Sequence, residues 1–307
     1  MIKVLELFGG IGAPRKALIN LGISHKSIDY VEIDEKAVRS YNAMFHELDE
    51  KKPDTVVGWN LCPDVLIHGS PCQDFSIAGK QHGANIGSGT RSSLMWETIK
   101  IIKNMGVWKP RIVIWENVKN VLSKHMIHSF NKYLEEMQKL GYINKFSVLN
   151  AKDFGIPQHR ERVFTISVLG DNKFNFSALE KREMKHIREY LTNDYSGKHL
   201  VTQPSMLNKI NKLGTFGLYI IDDHCKTITT KQVRCPNASI IDIGNGQYRY
   251  LTELECWRLM GFDDKDFEKV AKQQKLNKKQ MNGALYKQAG NSICVPVLEA
   301  IFKELFK

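Results

Sequence analysis

The sequence of 307 residues is long enough for one large domain or two unequal ones. Its hydrophobic fraction of 42% and charged fraction of 25% are typical of a globular protein, and no stretch has the pattern of a membrane-spanning helix or a signal peptide, so we expect a cytoplasmic protein with no membrane partner. The net charge of +11 modestly favours a polyanionic partner such as nucleic acid over a solvated, lysine-rich surface.

Strands and helices alternate through the first 170 residues. Strands are predicted at residues 3–8, 28–33, 64–68, 111–115, 146–150 and 162–169, and helices from Pro14 to Gly22 and at 36–45, 94–105 and 126–140. This alternation predicts an α/β fold with a doubly wound, mostly parallel sheet. After about residue 180, short polar runs and β-branched clusters predict a second, smaller domain, followed by helices at 251–262 and 296–306.

A glycine turn follows the first predicted strand and precedes a helix. Such a turn lets the backbone approach a ligand and points helix N–H groups at it. Glu32 lies 20 residues beyond Gly12, where a carboxylate meets ribose hydroxyls in folds of this kind. The pattern predicts a nucleoside-containing cofactor, although Arg15 replaces the third glycine of a nicotinamide-binding fingerprint. A tight turn that serves packing alone is the alternative.

A cysteine lies on the turn that follows the buried strand at residues 64–68. Cys72 stands between Pro71 and Gln73, at the edge of the sheet where parallel α/β folds bind ligands. Its thiolate would be a nucleophile, whereas most free cysteines are only small apolar residues. The six cysteines lack the close paired spacing of a zinc site, so we expect free thiols and no metal.

Two further segments carry charged side chains to the same edge. Glu116 follows four apolar residues and is expected to open into the crevice that holds Cys72. Arg160 and Arg162 alternate at the start of a strand and would share one face. That face would grip a phosphate or a carbonyl oxygen, unless the two arginines only keep an edge strand soluble.

The order of these segments resembles the DNA (cytosine-5) methyltransferases, above all the bacterial and phage enzymes of restriction-modification type. The resemblance is carried by Phe8-Gly9-Gly10-Ile11-Gly12, Pro71-Cys72-Gln73, Glu116-Asn117-Val118, Gln158-x-Arg160-x-Arg162, residues 249–262, and Gly290-Asn291-Ser292. These motifs span nearly the whole chain. The resemblance implies a Rossmann-like fold that uses S-adenosylmethionine to methylate cytosine in double-stranded DNA.

The resemblance also implies the role of each catalytic residue. Cys72 would add to carbon 6 of cytosine, and Glu116 would hold or protonate ring nitrogen 3. Arg162 would donate to the base carbonyl oxygen, with Arg160 in support. The residues implied to bind the cofactor are Phe8, Gly9, Gly10, Ile11, Gly12, Glu32, Ile33, Pro71, Leu94, Asn291 and Ile293, with Asp54 or else Asn60 at the adenine amine.

The DNA-binding parts are implied in the same way. The target base would be flipped into the pocket, with Gln73, Ser76 and Asn117 beside it and the loop at residues 83–93, including Arg91, as a lid. Side chains that would contact phosphates or base edges are Thr229, Lys231 and Arg234, with Lys226, Gln232, Asn237 and Gln247 as further candidates. The catalytic domain would comprise residues 1–185 and 283–307, and a target-recognition domain with its hinge residues 186–282.

The partners and the alternatives complete the expectation. A monomer is expected, with or without a restriction endonuclease that acts on the same site without direct contact. The alternatives are an enzyme that methylates transfer RNA, a non-catalytic DNA-binding relative, and a nicotinamide oxidoreductase, against which Arg15 and Cys72 speak. The intact Cys72, Glu116, Arg160 and Arg162 speak against the second.

Overall fold

A six-stranded sheet forms the centre of the protein. The structure is a computed structural model that describes residues 1–46, 62–70, 94–193, 197–210, 218–234, 236–274 and 279–307. The sheet contains β1 (Ile2–Leu7), β2 (His25–Val31), β3 (Val65–His68), β4 (Ile112–Val118), β5 (Tyr142–Asn150) and β7 (Glu161–Leu169), and the short strand β6 (Gln158–His159) precedes β7.

The strand order is β2-β1-β3-β4-β7-β5. The first four of these strands are parallel, whereas β7 runs antiparallel to both β4 and β5. The predicted doubly wound, mostly parallel sheet is therefore confirmed. Because β7 is reversed, its first residues lie at the edge where the parallel strands end, and Arg162 pairs with Val118.

Helices cover both faces of the sheet. They are α1 (Ala13–Asn20), α2 (Glu35–Phe45), α3 (Met95–Asn104), α4 (Ile127–Lys139), α5 (Pro204–Leu207), α6 (Glu253–Arg258), α7 (Asp264–Gln274), α8 (Gly283–Asn291) and α9 (Val295–Leu305). Strand side chains alternate between two cores, so Val65 and Ile67 pack with α1, α2 and α9, whereas Leu66 packs with α3 and α4. Within the described ranges, no helix is long and apolar enough to cross a membrane.

Several element boundaries differ from the sequence prediction. Strand β5 begins at Tyr142, four residues early, because Gly141 takes a positive φ of 91° and returns the chain directly from α4 into the sheet. Strand β2 spans His25–Val31 and ends before Glu32. The helix predicted at 251–262 is only Glu253–Arg258, because Thr252 and Glu255 form a capping box at its start and Gly261 has a φ of 89°.

The later part of the chain adds short strands. Strand β8 (Cys225–Lys226) pairs in parallel with β6, and β9 (Ile241–Gly244) forms an antiparallel pair with β10 (Gln247–Arg249). A small core of Val201, Leu218, Ile240 and Tyr250 lies in this part of the chain. The four cysteines in the described ranges are free thiols, of which Cys62 is exposed and Cys225, Cys256 and Cys294 are buried.

Candidate active site

The carboxyl edge of the sheet brings a carboxylate and a guanidinium together. Glu116 lies near the end of β4, and Arg162 near the start of the reversed strand β7. The Nε atom of Arg162 is 3.2 Å from Oε1 of Glu116, and only 16% and 11% of the two side chains are exposed. A Cβ atom on Gly69 would lie 3.6 Å from Oε2 of Glu116, so the end of β3 passes directly beside this carboxylate.

Burial raises the pKa of Glu116, and the positive charges of Arg162 and Arg160 oppose the shift only in part. Removal from water disfavours the ionised carboxylate, whereas the guanidinium groups stabilise it. Glu116 therefore retains a proton to a higher pH than an ordinary glutamate. A carboxyl group that holds its proton in this way is a better proton donor to a ring nitrogen than an exposed glutamate.

The main chain that leaves β3 is held by neighbours on β4. Nε1 of Trp115 donates to Oγ of Ser70 at 3.0 Å, and Nδ2 of Asn117 donates to the Ser70 carbonyl oxygen at 3.4 Å. All three residues are buried. Sequence reasoning missed Trp115 and Ser70; the available signal was that a buried tryptophan N–H needs an acceptor.

The glycine turn has the backbone geometry that its sequence predicts. Phe8, Gly10 and Gly12 have positive φ values of 55°, 56° and 74°. A Cβ atom on Gly9 would lie 2.5 Å from Cδ2 of Tyr30, so no larger residue fits without moving that ring. A Cβ atom on Gly10 would meet nothing within 4 Å, so this side of the turn is open.

Glu32, which follows the end of β2, closes the turn. One carboxylate oxygen accepts from the Gly10 N–H at 3.0 Å and the other from the Asp34 N–H at 2.8 Å. Ile33 follows with 80% of its surface exposed, and Leu94 is half-buried at the start of α3. Gly12 caps α1 without a side-chain hydrogen bond.

A cleft joins the glycine turn to the Glu116 carboxylate. It encloses about 400 Å³, including the part open to solvent. Its lining includes six of the residues predicted to bind a cofactor, namely Phe8, Gly9, Gly10, Ile11, Asn291 and Ile293. Glu116 and Gly69 line the same cleft. A ligand held by the turn would therefore face the predicted reaction centre.

Arg160 has different partners from Arg162. Its guanidinium is buried and donates to the carbonyl oxygens of Ile228, Gly290 and Ser292, at 3.0, 3.0 and 2.7 Å. The two arginines thus hold different parts of the site. The strand alternation that led us to place them on one face is interrupted, because β6 ends at His159 and β7 begins at Glu161.

The residues predicted to contact DNA lie partly on the surface. Lys231 and Arg234 are exposed on the turn at 229–234, whereas Thr229 is half-buried and accepts a hydrogen bond from Nδ2 of Asn237. The prediction for Gln232 is wrong: its side chain is fully buried and accepts from the Ala238 N–H at 3.2 Å.

The remaining exposed candidates include Lys226, whose ammonium group is 3.1 Å from the ring centroid of Tyr219, and Gln247 on β10. Seven predicted residues lie outside the described ranges, as does the predicted lid at 83–93: Asp54, Asn60, Pro71, Cys72, Gln73, Ser76 and Arg91.

Comparison with known proteins identifies the family. A model of the C-5 cytosine-specific DNA methylases matches residues 2–307. The chain is 33% identical to the type II methyltransferase M2.ScrFI of Lactococcus lactis subsp. cremoris, over 100% of this chain and 99% of that protein. It is 26% identical to the orphan methyltransferase M.SPBetaI of Bacillus phage SPbeta, over 99% and 97% of the two chains.

Solved structures share the fold. The Dnmt2 methyltransferase of S. pombe is 22% identical with a TM-score of 0.77, covering 99% of this chain and 98% of that one. The methyltransferase EhMeth of Entamoeba histolytica is 21% identical with a TM-score of 0.80, covering 100% and 98%. The full-length family match and the curated relative together show that this chain belongs to the C-5 cytosine-specific DNA methylase family and is a DNA (cytosine-5) methyltransferase.

Proposed function

We propose that this enzyme methylates carbon 5 of one cytosine within a specific short sequence of duplex DNA, through a transient bond between Cys72 and a flipped base. The observation that carries this proposal is the buried pair of Glu116 and Arg162 beside Gly69, three residues before Cys72. A carboxyl group and a guanidinium at this spacing match the ring nitrogen and carbonyl oxygen on one edge of cytosine.

The chemistry assigns a separate task to each side chain. Carbon 5 of cytosine is a poor nucleophile, so the Cys72 thiolate adds to carbon 6 and the displaced electron pair makes carbon 5 reactive. Glu116 gives its proton to nitrogen 3 as negative charge enters the ring, a role that its raised pKa supports. Arg162 donates to the carbonyl oxygen. Once carbon 5 carries the methyl group, a water molecule would take the carbon 5 proton, the thiolate would leave carbon 6, and nitrogen 3 would return its proton to Glu116, which restores the ring.

The cleft suits S-adenosylmethionine, which when bound supplies an electrophilic methyl group. The start of α1 has no side-chain cap, so its N–H groups favour a carboxylate such as that of the methionine part. Glu32, beside the turn, would accept from the ribose hydroxyls. Phe8 and the exposed Ile33 would pack against adenine, and Asn291 and Ile293 would form the opposite wall.

DNA binding follows from charge and from the depth of the site. Lys231 and Arg234 are exposed cations on one turn, and the net charge is +11. Because Glu116 is buried, a cytosine stacked in a duplex cannot reach it, and the base must rotate out of the helix. We assign these tasks to a catalytic domain of residues 1–185 and 283–307 and a recognition domain of residues 186–282, in a monomer.

A methyl-transfer assay tests the nucleophile. We expect Cys72→Ser to abolish transfer to duplex DNA, whereas Cys62→Ser, a change at an exposed cysteine ten residues earlier, retains wild-type activity. In the presence of S-adenosylmethionine, duplex DNA with 5-fluorocytosine at the target position should trap the wild-type enzyme covalently, because after methyl transfer the fluorine cannot leave as the proton does. Normal transfer by Cys72→Ser, or the absence of a trapped complex, would contradict the covalent mechanism.

The substrate is tested separately. Mapping 5-methylcytosine in a plasmid from cells that express the enzyme should reveal one short methylated sequence. In vitro, transfer to that duplex should exceed transfer to tRNA, and DNA affinity should fall steeply with salt as counterions are released. Methylation of tRNA alone would refute the duplex DNA substrate.

A further inference from the structure

The buried side chains of Gln158 and Arg160 hydrogen-bond to the main-chain N–H and carbonyl oxygen of Ile228. Oε1 of Gln158 accepts from the Ile228 N–H at 3.0 Å, and Nη1 of Arg160 donates to the Ile228 carbonyl oxygen at 3.0 Å. Gln158 is 0% exposed and Arg160 is 3% exposed. Hydrogen bonds shielded from water in this way are costly to lose, because their groups would remain buried without partners. Ile228 is therefore fixed relative to the strand pair β6 and β7.

The same guanidinium also fixes the end of α8. Nη2 of Arg160 donates to the carbonyl oxygens of Gly290 and Ser292, at 3.0 and 2.7 Å. Asn291 and Ser292, in and beside this contact, line the cleft. One planar group therefore joins the main chain at Ile228 to a wall of the proposed cofactor site.

These two segments also touch each other directly. A Cβ atom on Gly290 would lie 2.4 Å from the carbonyl carbon of Thr229 and 2.4 Å from the nitrogen of Thr230. Only a glycine allows main chain to pack on main chain this closely. Close-packed contacts transmit displacement, because neither side can move without the other.

A final hydrogen bond fixes the start of the segment. Oγ1 of Thr227 donates to the His159 carbonyl oxygen at 2.7 Å. The residues that follow this anchored segment include the exposed Lys231 and Arg234. A displacement of residues 290–292 would therefore press on residues 228–230, which lead directly into the turn that presents these two cations.

We propose that Arg160 and Gln158 are positioning residues that couple binding of the methyl donor to binding of DNA. This rests on the proposed function, since it takes the cleft as the donor site and the 229–234 turn as a DNA contact. A donor that packs against Asn291 and Ile293 stabilises the arrangement that presents Lys231 and Arg234. Thermodynamic linkage requires the reverse effect to be equally large.

The test measures a coupling factor. With the wild-type enzyme, the Kd for a fluorescent duplex that carries the mapped site is determined with and without saturating S-adenosylhomocysteine. The Kd for S-adenosylhomocysteine is determined with and without the duplex. We expect each ligand to lower the Kd of the other by about tenfold, and this ratio is the coupling factor; the value lies within the usual range for such couplings.

Variants then locate the coupling. Arg160→Lys retains the charge but cannot reach three carbonyl oxygens at once, so the factor should fall below about threefold while both ligands still bind. Arg258→Lys is the matched control, because Arg258 is bidentate to Asp264 and bonds the Tyr190 carbonyl oxygen, and none of these three residues lines the cleft or belongs to the 229–234 turn. It should retain the wild-type factor. If Arg160 had a purely structural role, Arg160→Lys would weaken the binding of both ligands but leave the coupling factor unchanged.

The outcomes separate the two proposals. If the wild-type enzyme binds both ligands with a factor of one, or if Arg160→Lys retains the wild-type factor, the coupling is refuted and the proposed function stands. If the wild-type enzyme binds neither ligand, the proposed function fails and the coupling fails with it. Should Arg160→Lys not fold, Thr227→Val removes one exposed hydrogen bond from the same segment and should reduce the coupling factor in part. An unchanged coupling factor would again refute the coupling.

Discussion

Replacement of Gly290 by alanine tests whether the close packing of α8 is required. Helix α8 contains two glycines with different surroundings. A Cβ atom on Gly290 would lie 2.4 Å from main-chain atoms of Thr229 and Thr230. A Cβ atom on Gly283 would have Val233 Cγ1 as its nearest neighbour, at 3.8 Å, which is ordinary van der Waals contact. Gly283→Ala is therefore the matched control in the same helix.

Only the substitution at Gly290 should lower the stability. Alanine in place of a helical glycine stabilises by up to about 1 kcal/mol through its lower unfolded-state entropy. At Gly290 the backbone must move apart, which costs about 1–3 kcal/mol. Weakening the Arg160 hydrogen bonds to this segment costs about 1–3 kcal/mol more. We expect Gly290→Ala to lose about 2 kcal/mol of unfolding free energy and Gly283→Ala to lose none.

Urea unfolding followed by circular dichroism measures both values, and titration with S-adenosylhomocysteine reports on the cleft wall at 291–293. Gly290→Ala should unfold at a lower urea concentration and bind this ligand more weakly, whereas Gly283→Ala should match or exceed the wild type in both measurements. If Gly290→Ala unfolds at the wild-type urea concentration, the main-chain contact is not tight and our reasoning about this joint is wrong.

Two further predictions concern the residues around β4. Trp115→Phe removes the hydrogen bond to Ser70 and should lower kcat about tenfold, with little change in KM for DNA. This corresponds to an increase of about 1.4 kcal/mol in the activation barrier. Trp257→Phe removes a buried indole hydrogen bond to the Leu285 carbonyl oxygen, so it should lower the unfolding free energy about as much as Trp115→Phe does but leave kcat unchanged. Equal kcat values for the two variants would contradict a positioning role for Trp115. Burial raises the pKa of Glu116, so above the ordinary carboxyl pKa the folded protein binds more protons than the unfolded chain. The stability that the protonated group contributes at low pH is therefore lost as the pH rises through the raised pKa. Glu116→Gln cannot ionise and should therefore gain stability relative to the wild type as the pH rises above the ordinary carboxyl pKa. A difference in urea midpoint that does not vary with pH would show that burial does not penalise the ionised carboxylate.

Much of the sheet was predictable, because its signals are local. The apolar run at Val65, Leu66 and Ile67 indicates a strand buried on both faces, and it is one. The position of Glu116 after such a run predicted its place at the carboxyl edge. The reversal of β7 has no local signal, because strand direction is set by how the chain packs and not by any residue. The direct pairing of Arg162 with Glu116 depends on that reversal.

Side-chain partners were the least predictable part. The spacing of Arg160 and Arg162 placed both on one face, but the main chain between β6 and β7 is irregular and gives them separate partners. Gln232 is of a residue type usually found on the surface, yet its buried side chain accepts a hydrogen bond from the main-chain N–H of Ala238. Which side chains turn inward depends on which distant groups meet in the folded chain and need hydrogen-bond partners, and local sequence patterns do not show this.

The cleft has a consequence for how the enzyme is made. Its walls come from residues near 8–14 and from residues 291–293, so the ribosome adds some 280 residues between the first wall and the second. At about 5–20 residues per second, this interval is on the order of 15–55 s. A nascent chain that has already formed β1 and α1 still lacks the second wall. Truncated translation products that end before residue 291 should therefore lack one wall of the proposed donor site.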